Sequence, residues 1–243
     1  MPHHLPTDVL QVEGLPAVVS RPRWQADLDD LLVREKAHTR EADAIAAARR
    51  RLPMVTVPRD ATVDGVDGPT SILEVFQGRR VLVAYFHMWH DGRPWPQQCE
   101  GCTFVASQTQ RPEYLHSRSI TLAVFCQGSY QESRPYADFL EYKTPWYSAR
   151  KSPALTAGRD FGFYACYVHD DAGNVFETYW TTDRGTESTL WSYAVMDMTV
   201  FGRQETWQDA PAGWPRLDPA VHPWRVDGRP TAQWAVTDAA ARR

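Results

Sequence analysis

Cys99-Glu100-Gly101-Cys102 places two thiols one helical turn apart. At a helix start, unpaired amide protons and the positive end of the helix dipole stabilise a thiolate on the first sulfur. The second sulfur can then close an intramolecular disulfide and release a mixed disulfide. This spacing predicts Cys99 as nucleophile and Cys102 as resolving thiol. Glu100 works against it, because a neighbouring carboxylate raises a thiol pKa. His87 and His90 lie just upstream, giving H-x2-H-x8-C-x2-C and an alternative structural zinc site at His87, His90, Cys99 and Cys102. In one continuous strand the two histidines would point to opposite faces, so that site needs a turn at His90. Trp89 and Trp95, with the two histidines, are candidates for an aromatic wall and proton relay, or for a simple cover over a sheet end. Arg184, Asp197, Arg203 and Glu205 suit ion pairing better than binding of an anionic substrate.

The surrounding elements must bring these side chains together. Val81 to Phe86 is apolar throughout and reads as a strand covered on both faces. It leads through the loop Asp91 to Gln98 into a helix starting at Cys99. A helical piece near Arg111 to Ser117 and a strand Ile120 to Cys126 follow, completing a βαβ unit. If the two strands are parallel, Cys126 lies level with the C-x-x-C as a candidate auxiliary thiol, since chemistry in open α/β sheets gathers at the strands' carboxyl ends. A C-x-x-C beside a βαβ pattern is a thioredoxin-like signal.

Downstream come a helix over 131–141, an irregular stretch from Pro145 to Gly162, and a hairpin of Phe163 to His169 with Val175 to Trp180 around Asp170-Asp-Ala-Gly-Asn174. Cys166, mid-strand, reads as core. Thr186 to Tyr193 reads as a helix capped by Thr186. Upstream, Ser20 and Pro22 predict a long helix to about Arg50, capped by Ser20, whose apolar stripe from Trp24 to Ile45 would lie on the main domain or on a second subunit. A strand Met54 to Val57, turns over Asp60 to Thr70 and a short helix Ile72 to Phe76 complete the N-terminal half.

Composition narrows the functions available. Lys and Arg total 26 against 30 Asp and Glu, a net charge of −4, which disfavours a nucleic-acid partner. A 43% hydrophobic share supports a core, while four cysteines are too few for a disulfide scaffold in so long a chain. Met1 to Thr7 lacks the basic start and apolar run of a secretory signal, and no apolar run approaches the ~20 residues of a membrane helix. A cytoplasmic location without a membrane partner is the expectation. Nucleotide-loop, nucleophile-elbow and zincin motifs are absent, and no cofactor is implied. The peroxiredoxin arrangement fails, with Gly92 and Pro96 at its proline and threonine positions.

Several segments together resemble a bacterial family, DUF899, thioredoxin-like proteins associated with dithiol–disulfide oxidoreduction. They are Leu32-Val-Arg-Glu-Lys36 with Thr39-Arg40, Arg49-Arg-Arg-Leu-Pro-Met-Val55, Phe76-Gln-Gly-Arg-Arg80, the C-x-x-C, Phe161-Gly-Phe163, Thr181-Thr-Asp-Arg-Gly185, Tyr193, Met196-Asp197, and Phe201-Gly-Arg203 with Glu205. The resemblance spans about Trp24 to Trp207 and implies a thioredoxin-like fold with its dithiol at Cys99 and Cys102. Two departures stand out. Glu100 replaces the proline usual between the cysteines, and Arg159 to Tyr164 has no proline facing the disulfide.

The sequence therefore predicts an α/β, thioredoxin-like three-layer fold with a mixed central sheet. A helical extension (1–60), a thioredoxin-like domain (61–210) and a Pro/Trp-rich C-terminal extension (211–243) are its expected parts. The expected function is thiol–disulfide exchange with a protein or small-molecule disulfide. The alternative is a non-catalytic binding module that forms a homodimer through the long helix and the Trp-rich C-terminus.

Overall fold

The computed structural model describes residues 14–109, 111–217, 224–226 and 228–233. In chain order the elements are α1 (Arg21–Arg49), β1 (Val55–Val57), β2 (Thr62–Gly65), β3 (Gly68–Ser71), α2 (Ile72–Val75), β4 (Val81–His87), α3 (Glu100–Ser107), α4 (Glu113–His116), β5 (Ile120–Cys126), α5 (Tyr130–Phe139), β6 (Trp146–Ser148), α6 (Pro153–Thr156), β7 (Phe163–His169), β8 (Val175–Thr182), α7 (Trp191–Asp197), β9 (Arg225–Val226) and β10 (Arg229–Pro230). The chain divides into two compact units, residues 1–52 with 195–219 and residues 53–194 with 220–243. Among the described residues no helix is long and apolar enough to cross a membrane.

The larger unit holds an eight-stranded sheet in the order β1-β8-β7-β4-β5-β6-β2-β3. At its centre β4 pairs in parallel with β5, from Val81 opposite Ile120 to His87 opposite Cys126. On its other side β4 pairs antiparallel with β7, and β7 with β8. Two parallel strands joined through a helix, a second helix, then an antiparallel hairpin returning to the first strand is the expected thioredoxin-like connectivity. Alternation along β4 and β5 sorts the core into two layers. Leu82, Ala84, Phe86, Ala123 and Phe125 face α2 and α6, packing with Ile72, Val75, Leu155 and Phe163. Val124 and Cys126 face the other way, against Tyr136 and Ala137 of α5, Trp89 and Trp146. The continuous apolar runs of β4 and β5 follow from this two-sided burial.

Three expectations are corrected. The stretch 60–70 is the β2–β3 hairpin, in which Gly68 adopts φ +101°, a conformation side-chain-bearing residues rarely reach. The run after Pro145 is not irregular: β6 extends the sheet beside β5, and α6 follows. Thr186 lies inside a 3-10 turn, Asp183–Thr189, where its hydroxyl donates to the Asp183 carbonyl, and α7 starts only at Trp191.

The smaller unit is built on α1, 29 residues and about 43 Å long. Pro22 sits in its first turn, but the Ser20 hydroxyl makes no capping bond, and none of the helix's side chains is buried. Within the single chain Trp24, Leu31, Leu32 and Ile45 of the expected apolar stripe are all exposed. In the same unit Arg203 pairs with Asp197 at 2.6 Å, and the rings of Phe201 and Trp214 meet edge to face.

Candidate functional site: a dithiol at the start of α3

β4 ends at His87, and the connection 88–98 carries the chain to Cys99, the N-cap residue of α3. Gln98, completely buried, organises this connection. Its side-chain oxygen accepts from the His90 N–H at 2.9 Å, and its amide donates to the carbonyls of His90 (3.0 Å) and Arg93 (2.9 Å). One turn on, the Thr103 hydroxyl bonds the Cys99 carbonyl at 2.8 Å and lies 2.7 Å from the Tyr136 hydroxyl. The nucleophile candidate is thus held from both sides in sequence.

The two sulfurs occupy different environments. Cys99 is partly exposed, and its Sγ accepts from the Cys102 N–H at 3.5 Å in the place a serine oxygen takes in an ordinary cap. Cys102 is buried, and the Met88 N–H donates to its Sγ at 3.3 Å. The hydrogen bond from the Cys102 thiol holds the Cys99 pKa down to about 7, helped by the N–H groups of Cys102 and Gly101 and opposed by burial and by Glu100. The Cys102 pKa is raised well above the usual thiol range, first because its proton serves Cys99 and then by burial. A nucleophile poised near neutrality beside a protonated partner is the division of labour thiol–disulfide exchange requires.

The dithiol opens onto a cavity of about 290 Å³, walled by Tyr85, Met88, Phe104, Phe161, Tyr193 and Trp224. This is an aromatic wall, but not the one expected. Trp89 and Trp95 turn instead toward α5, with ring centroids 5.5 and 5.9 Å from Tyr136, and do not line the cavity. They cover the sheet end. Nor do the histidines join the thiols. The His87 ring is completely buried against Trp146, with Nδ1 2.7 Å from the Met88 carbonyl, and burial lowers its pKa to about 4. The His90 backbone, for its part, is tied to Gln98. Among the described residues no three His, Cys, Asp or Glu side chains gather as metal ligands, so the expected alternative zinc set at His87, His90, Cys99 and Cys102 is not assembled.

Cys126 stands level with His87, as the parallel pairing requires, yet it packs under Trp89, Tyr136 and Trp146 and does not line the cavity. Burial pushes its thiol up to about 12. Cys166 lies mid-strand at a β-bulge and is half-buried, not full core. Arg184 pairs with Glu187 at 3.3 Å, and the Arg203–Asp197 pair lies in the smaller unit, so these residues serve local ion pairs.

The sequence reading missed Gln98, Tyr85, Trp224 and Arg225 and had Tyr193 only as part of the family resemblance. Gln98 and Tyr85 lie inside segments it had placed, but nothing in their type marks them. Trp224 and Arg225 come from far along the chain, where no motif connects them to α3.

Comparison with solved structures finds a proposed thiol:disulfide interchange protein DsbE from Chlorobium tepidum, at 12% identity, covering 56% of this chain and 88% of that one with a TM-score of 0.34. It also finds BsSco, a member of the Sco family of cytochrome c oxidase assembly proteins in which a disulfide switch was identified. There the identity is 14%, the coverage 59% and 95%, and the TM-score 0.33. No curated protein matches the sequence. The family described as "Bacterial protein of unknown function (DUF899)" matches residues 13–220. On that match, which spans most of its length, the chain belongs to the DUF899 family.

Proposed function

We propose that the protein is a dithiol–disulfide oxidoreductase acting through Cys99 and Cys102. The observation that carries this reading is the asymmetry of the pair: a partly exposed Cys99 with its pKa held down, facing a cavity, beside a buried, protonated Cys102. The Cys99 thiolate attacks one sulfur of a substrate disulfide, the substrate S–S bond breaks, and the first thiolate leaves. Cys102 then gives up its proton to the medium and attacks Cys99 Sγ, expelling the second substrate thiolate. The substrate gains two electrons and the protein becomes the Cys99–Cys102 disulfide, which an external dithiol reductant must reduce for turnover.

The experiment is reduction of insulin disulfides by the full chain with dithiothreitol as the reductant. Cys99→Ser should abolish the catalysed rate. Cys102→Ser should slow turnover and, mixed with insulin in the absence of dithiothreitol, should leave a trapped mixed disulfide on Cys99, visible by mass. Unchanged activity in Cys99→Ser overturns the reading.

A further inference from the structure

The family match ends at residue 220, yet the next described residues return to the dithiol. β9 and β10 form a small antiparallel hairpin followed by a 3-10 turn, Thr231–Gln233. Trp224 stacks on Phe104 of α3 at 4.7 Å with rings nearly parallel. Gln233, completely buried, donates to the Trp95 carbonyl at 2.9 Å and to the Tyr136 hydroxyl at 3.0 Å. Between them Arg225 spreads its guanidinium over four hydrogen bonds and an ion pair. Nε reaches Glu100 Oε2 at 2.9 Å, and Nη2 reaches the same oxygen at 2.7 Å and the Gln98 carbonyl at 2.7 Å. Nη1 reaches the carbonyls of Pro96 and Gly228.

Arg225 therefore grips the residues on both sides of Cys99, the carbonyl of 98 and the side chain of 100. The ion pair is only partly exposed, at 21% and 16% of the two side chains, so solvent screens it weakly. The fork geometry matters, because a lysine offers one point charge and cannot span a carboxylate and three carbonyls at once.

We propose that Arg225 is the positioning residue of the dithiol, fixing the turn that aims Cys99 into the cavity and countering the carboxylate placed beside it. This rests on the dithiol reading above. The charged and titratable groups that act on Cys99 are Glu100 and Cys102 from α3, Tyr85 from β4 and Tyr136 from α5; Arg225 reaches Glu100 itself, and Asp183 and Glu187 line the cavity. Of these, Arg225 is the cation.

The test is the pH profile of Cys99 alkylation by iodoacetamide in the full chain, read by mass. Arg225→Gln should move the midpoint upward by about one pH unit, a roughly tenfold loss of rate below it. Glu100→Gln should move it downward, and the double variant should return it close to the parent value. An unmoved midpoint in a cooperatively folded Arg225→Gln protein overturns the proposal. Should Arg225→Gln fail to fold, Glu100→Gln decides: an unmoved midpoint there overturns it equally. Alkylation needs no disulfide substrate. A parent protein that titrates as stated but reduces no disulfide would therefore sink the function while leaving the positioning role intact.

Discussion

The central sheet presents the same local construction twice. β4 and β5 run parallel and end level at His87 and Cys126, and each hands the chain to a helix on the same face. The caps are alike too: Cys99 Sγ accepts the N–H of Cys102 at 3.5 Å, and Ser129 Oγ accepts that of Glu132 at 3.3 Å. The connections differ. Residues 88–98 form a braced loop that leaves Cys99 at the mouth of a cavity, whereas 127–129 form a tight turn sealed by the Trp89 ring. The exposure of the sulfur therefore follows from the length and bracing of the loop between strand and helix. A sulfur at a strand end is not enough.

The largest expected contrast is in turnover. Cys99→Ser should lower disulfide reduction by more than ~100-fold, as loss of a nucleophile does, while Cys126→Ala leaves the rate unchanged. Equal losses would erase the distinction between the two ends.

Next comes titration. Cys99 should alkylate with a midpoint near pH 7, rising toward the ordinary thiol value of 9.0 in Cys102→Ala, whereas Cys126 should stay unlabelled at pH 8 until the protein unfolds. The stability consequences have opposite signs. Between pH 7 and 9 the folded state has lost the Cys99 proton that the unfolded chain keeps, so this thiol adds stability as pH rises and loses it as pH falls through 7. Cys126 keeps its proton in the fold from 9 to about 12 while the unfolded chain loses it, so its contribution falls over that window. Chemical denaturation of the reduced protein at pH 6.5, 8 and 9 should show the first slope, and Cys99→Ser should remove it.

A third contrast is steric. A Cβ at Gly128 would overlap the Trp89 ring, so Gly128→Ala should cost about 1–3 kcal/mol in denaturant unfolding. Gly101, whose Cβ would meet open space, should accept alanine with little change in stability. The smallest effect separates the caps. Ser129→Ala should cost about 1 kcal/mol, while Cys99→Ser, which puts the better capping atom at α3, should leave the melting temperature level or slightly higher when measured below pH 7, where the thiol is protonated in the folded and unfolded states alike.

What the sequence disclosed follows the same line between local and distant. β4, β5 and the β7–β8 hairpin were legible because two-sided burial and strong turn residues write themselves into short windows. β2 and β3 were not, because Gly65, Gly68 and Pro69 read as turn while β6, β2 and β3 occupy one end of the sheet. The thiols were legible as a spaced pair at a predicted helix start. Arg225, 125 residues from Glu100 in sequence, was not, since no periodicity connects an arginine to a carboxylate across that span.

Gln98 touches neither sulfur through its side chain, yet its amide holds the shape of the loop that ends on Cys99. A mutational screen that defines the working residues by distance to the thiols would pass over it. Replacement by glutamate, nearly identical in outline, would remove both donors and set a negative charge among carbonyl oxygens in a sealed space. Such a variant would present in an activity assay as a failed enzyme, although its defect would be one of carpentry.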